Sequence, residues 1–115
     1  MDIFTLANAT LKAPVVKRKD KIKMILVLTG HIPQVTFKGL LTLGIGKSLD
    51  DLIQILGGEY HPDTLEAAEV GNISVSNFYM MRKVPFYMQD DWLDDAIKTS
   101  DDEFCNLIES EFGRK

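Results

Sequence analysis

The chain has 115 residues, 45% of them hydrophobic and 26% charged, with a formal net charge of −4. That length supports a single domain over 1–115 around one core, which needs neither metal nor disulfide for ordinary stability. The one cysteine, Cys105, excludes an intrachain disulfide and any Cys-x-x-Cys motif, and no stretch approaches the ~20 apolar residues of a membrane span, so a soluble protein of the reducing cytoplasm is expected.

Residues 1–14 mix apolar and small polar residues without period and end at Pro14, which reads as an extended arm leading into a strand near 10–18. KIKMILVLT, residues 21–29, begins alternating, turns continuously apolar and stops at Gly30, which predicts a central strand. After a turn at His31-Ile32-Pro33, residues 34–44 place Val35, Phe37, Gly39, Leu41 and Leu43 on one face, which predicts a strand pairing antiparallel with the one before it. Ser48 opens a helix over 49–56 with Leu49, Leu52, Ile53 and Leu56 as its buried stripe, and Gly57-Gly58 closes it. A short helix follows, capped by Asp63 with Glu66 three residues on and stopped by Gly71.

Residues 72–88 are rich in aromatic and β-branched side chains, which predicts a strand over 73–88 with Pro85 at an edge, a bulge or its exit. Two amphipathic helices end the chain. Trp92, Leu93, Ala96 and Ile97 face away from the aspartates in the first; Ser100 and Glu103 form a capping box for the second, whose apolar stripe is Phe104, Leu107, Ile108 and Phe112. The expected class is α+β: an antiparallel sheet of three to four strands, a packed central helix, and a C-terminal helical pair over 90–112.

The charge is unevenly spread. Residues 1–47 carry eight Lys/Arg and two acids, whereas 48–115 carry five and fifteen. The catalytic inventory is poor: His31 and His61 stand thirty residues apart, and Cys105 beside Phe104 reads as an inert buried thiol. Glu59, His61 and Asp63 make a weak metal set, so no metal or other cofactor is expected. GIGKS at 44–48 lacks the glycine that a phosphate loop needs at position 41, where the chain has Leu41. Residues 40–56 have a helix-turn-helix outline around Gly44, but Asp50 and Asp51 on the second helix would repel DNA.

Two binding surfaces remain, from different classes. A protein-binding edge would use Phe86 and Tyr87 together with Asp90, Asp91, Asp94 and Asp95, as suits a small non-enzymatic regulatory, inhibitory or assembly protein. The alternative is nucleic-acid binding through Lys17, Arg18, Lys19, Lys21 and Lys23, with Arg82 and Lys83 between the aromatics Phe78, Tyr79, Phe86 and Tyr87. The protein-binding reading is preferred, with self-association left open, because a net charge of −4 opposes the approach of a polyanion.

Overall fold

A computed structural model describes Ala9, residues 17–31 and residues 34–112. Among the described residues every regular element is helical: α1 Arg18–His31, α2 Phe37–Thr42, α3 Leu49–Leu56, α4 Pro62–Val70, α5 Val75–Met80, α6 Gln89–Lys98 and α7 Asp101–Phe112, with 3-10 turns at Met81–Lys83 and Phe86–Met88. Among these residues the expected antiparallel sheet is not formed, so the α+β class is corrected to an all-helical one. The arm at 1–14, apart from Ala9, and most of the strand placed near 10–18 lie outside the described residues.

Each misread strand has a local cause. In 21–29 the apolar run is long enough to cover every phase of either period, and tertiary contact then selects the helix. Ile25 and Thr29 are buried, Ile22 and Leu26 half-buried, and Val27 is exposed, which is helical spacing. In 34–44 the alternation is overridden by a cap: the Thr36 hydroxyl accepts from the Gly39 amide at 3.1 Å, and Phe37 and Leu40, three apart, fill the core. Ser74 does the same for 75–80 by accepting from the Asn77 amide, with Val75, Phe78 and Met81 pointing inward. Pro85 separates two 3-10 turns and sits in no strand.

The helices expected over 49–56, after 60, and over 90–112 are formed. Ser48 accepts from the Asp51 amide at 3.2 Å, and Gly57 ends α3 with a φ of 72°. Gly71 ends α4 in the left-handed conformation, but the cap of α4 is His61, whose Nδ1 accepts from the Asp63 amide, with Pro62 at the first helical position. The Ser100 hydroxyl accepts from the Glu103 amide. Between α2 and α3 the chain turns through Gly44 and Gly46, both at positive φ. Gly46 there has a φ of 82°, and a Cβ added to it would meet Leu52 Cδ2 at 2.6 Å, so only glycine fits.

The core is one cluster joining the seven helices of the described residues, with Phe37, Phe78, Phe104, Ile25, Leu40, Leu52 and Ile108 fully buried. Phe78 is its centre. It meets Phe37 edge to face at 5.1 Å between ring centroids and stacks on Tyr60 at 4.1 Å. Of the C-terminal side chains expected inside, Phe104 and Ile108 are buried and Trp92 is half-buried against Phe112, whereas Leu107 is 40% exposed.

Polar groups fix how α7 meets the rest. Asp101 accepts from the Ser74 hydroxyl at 2.6 Å and from the Gln34 amide at 3.0 Å, while its own amide donates to Gln34 Oε1 at 2.7 Å. These bonds hold Gln34 at a φ of 61°, a conformation costly for a residue with a Cβ. Asn77, fully buried, donates to the carbonyls of Ala96 and Thr99 and so caps the C-terminal end of α6. Among the described residues no helix is long and apolar enough to cross a membrane.

Candidate functional site

The Phe86–Met88 turn runs directly into α6, which sets the aromatic pair beside the aspartates. Phe86 is 48% exposed and Tyr87 77% exposed, large values for side chains that gain so much from burial. The His61 ring lies 5.5 Å from that of Phe86. Asp90, Asp91, Asp94 and Asp95 are all exposed on the outer side of α6; Asp90 and Asp91, in its first turn, also complement the helix dipole. Asp94 pairs with Lys98 at 3.4 Å, an exposed contact that neutralises little of the row.

What holds this edge in place is Gln89, the first residue of α6, which is fully buried. Its Oε1 accepts from the His61 amide at 2.7 Å and the Thr64 hydroxyl at 3.3 Å. Its Nε2 donates to the carbonyls of Glu59 at 2.9 Å, and of Met81 and Val84 at 3.2 Å. One side-chain amide therefore ties the loop before α4, the 3-10 turn at 81–83 and the start of α6 into a single unit. With Gln89 turned in, the two residues at 86–87 are turned out. Sequence reasoning misses Gln89; its only signal is a neutral polar residue sharing a face with Trp92, Leu93 and Ala96 at helical spacing.

The alternative set is dispersed. Residues 18–31 form a helix, so the single line of lysines that a strand would present is not formed. The described side chains Lys17 and Lys23 are exposed and Lys21 half-exposed; those of Arg18 and Lys19 lie outside the described set. Arg82 sits 4.2 Å over the Tyr79 ring, and Lys83 pairs with Glu109 at 2.9 Å. Phe78 belongs to the core, so the four aromatics do not share one exposed platform.

Tyr60 is the titratable group most altered by the fold. Burial pushes its phenol up from 10.0 to about 12, partly opposed by the nearby Arg82 charge. Its hydroxyl donates to the Gly57 carbonyl at 2.8 Å. Because the folded value is raised, the contribution to stability is complete below pH 10 and is lost as pH rises from 10 toward about 12. Alkaline titration followed by phenolate absorbance should show one tyrosine ionising late, together with unfolding. Replacement by phenylalanine should remove that late component.

Cys105 is half-buried and lines a cavity of about 390 Å³ between α1 and α7 with Leu26, Thr29 and Ser76. Among the described residues no three His, Cys, Asp or Glu side chains are grouped as a metal ion requires. The fold and surface thus define an all-helical domain with an exposed aromatic and acidic edge. No family model matches the chain, and neither a curated protein nor a solved structure does.

Proposed function

We propose that this chain is a small, non-enzymatic cytoplasmic protein that regulates, inhibits or assembles with another protein by binding it through the edge formed by Phe86, Tyr87 and the aspartates of α6. The observation that supports this most is the adjacent exposure of Phe86 and Tyr87 on a turn anchored by a buried side chain. An aromatic pair carried on an anchored backbone contributes binding energy at a reduced ordering cost when a partner covers it. Asp90, Asp91, Asp94 and Asp95 around it favour a basic partner and speed its approach.

The test uses immobilised protein and nuclease-treated lysate of the source cells, with stability measured in parallel. Phe86→Ala combined with Tyr87→Ala should weaken retention of the partner by at least about tenfold, because interface aromatics commonly carry about 2 kcal/mol each. Thermal unfolding should be nearly unchanged, since both side chains face water. Undiminished retention by the double variant would defeat the reading.

A further inference from the structure

The helix α4 stands between two apolar grooves with acidic rims. On one side it meets α6: Ala67, Val70, Leu93 and Ile97 form the floor and Asp63 and Glu66 one rim, enclosing about 450 Å³. On the other it meets α3, where Leu49, Ile53, Pro62 and Leu65 lie with Asp50, Glu66 and Glu69. Among the described residues no Lys or Arg lines either groove. Val70 is 51% exposed, so the floor of the first groove is open to water.

Helical geometry places further acidic residues beside that first groove. At 100° per residue, Asp90 and Asp94 fall next to the stripe made by Leu93 and Ile97, on its outer side. The groove is then apolar along its floor and acidic along its α4 wall, and Asp90 and Asp94, outside its lining, add negative charge beside the α6 wall. Its walls, helices of 9 and 10 residues, run about 14 and 15 Å, the length of about three helical turns.

We infer that the groove between α4 and α6 receives a cationic amphipathic helix of the partner protein. The inference rests on the reading that the chain binds a protein and adds the partner's chemistry. Floor residues spaced three and four apart, Ala67 with Val70 and Leu93 with Ile97, offer the ridges into which a helix face packs. Among the described residues there is no strand edge for an extended peptide to join. The acidic rims select lysine and arginine beside the apolar stripe, and reject an anionic helix of the same shape.

The experiment uses the full chain and three synthetic peptides of ~16 residues, long enough to form a helix. One has leucine and lysine at amphipathic helical spacing; the second has the same composition with the spacing scrambled; the third has glutamate in place of lysine. Binding is followed by anisotropy and by amide NMR shifts. The first peptide should bind, shift Ala67, Val70, Leu93 and Ile97, and lose at least about tenfold in affinity in Val70→Gln or Glu66→Lys. Phe86→Ala/Tyr87→Ala should leave this binding in place. Equal binding of the scrambled peptide, or shifts elsewhere, would overturn the inference, as would a self-association abolished by Val70→Gln. If Val70→Gln and Glu66→Lys retain the lysate partner as well as the native chain does, the groove assignment fails while the aromatic edge stands. Loss of that partner only on changing Phe86 and Tyr87 would likewise overturn the groove and leave the edge.

Discussion

Gln89→Ala is expected to lower the stability of the folded chain by about 3–5 kcal/mol, a large part of the total for a domain of this size. The side chain is fully buried and makes five hydrogen bonds, so truncation takes the donor from the carbonyls of Glu59 and Val84 and the acceptor from the His61 amide and the Thr64 hydroxyl, while the Met81 carbonyl keeps the Val84 amide at 3.0 Å. Each buried polar group left without a partner costs about 1–3 kcal/mol, reduced where water enters the space. Gln89→Glu keeps the shape but sets a carboxylate oxygen against the carbonyls of Glu59, Met81 and Val84. That variant should be at least as unstable at neutral pH and should recover in part in acid, where a protonated carboxyl can donate once. Chemical denaturation of both variants beside the native chain checks this; a loss below about 1 kcal/mol for Gln89→Ala would show that the hub is not formed.

Phe78→Ala should cost a similar amount, about 3–5 kcal/mol, through a cavity at the centre of the core. The ring is fully buried, meets Phe37 edge to face and stacks on Tyr60, so its loss loosens α2, α5 and the loop before α4 together. Phe78→Leu keeps most of the volume and should cost much less. The comparison also discriminates between secondary structures. As part of a solvated aromatic strand face, Phe78 would tolerate leucine and alanine about equally.

Helices legible in the sequence differ from the others in how their apolar residues are phased. The segments 49–56, 90–98 and 101–112 have caps or acidic first turns and apolar residues at only one helical phase, so period and punctuation agree. In 21–29 the run Ile25-Leu26-Val27-Leu28 occupies every phase and carries no period. Packing against α3 and α5 selects the helix, and the sequence by itself does not contain that contact. In 34–44 and 73–88 the informative residues are Thr36 and Ser74, whose hydroxyls cap helices six residues long. Val35, Phe37, Leu41 and Leu43 alternate around that cap and mimic a strand. For the surface, the aromatic pair and the aspartates are legible as residue types; their junction is not, because it depends on a glutamine five residues after Val84 bonding back to Glu59.

Photo-crosslinking from Tyr87 tests the central assignment most directly. A photoreactive phenylalanine analogue placed at Tyr87, with a second chain carrying it at Lys23 as the comparison, is irradiated in source-cell lysate with and without nuclease. The protein-binding account requires one dominant protein adduct from position 87 that survives nuclease and disappears when Asp91 and Asp95 are changed to lysine. Adducts from position 23 that are nuclease-sensitive, with none from position 87, would contradict it and give the function to the basic helix α1.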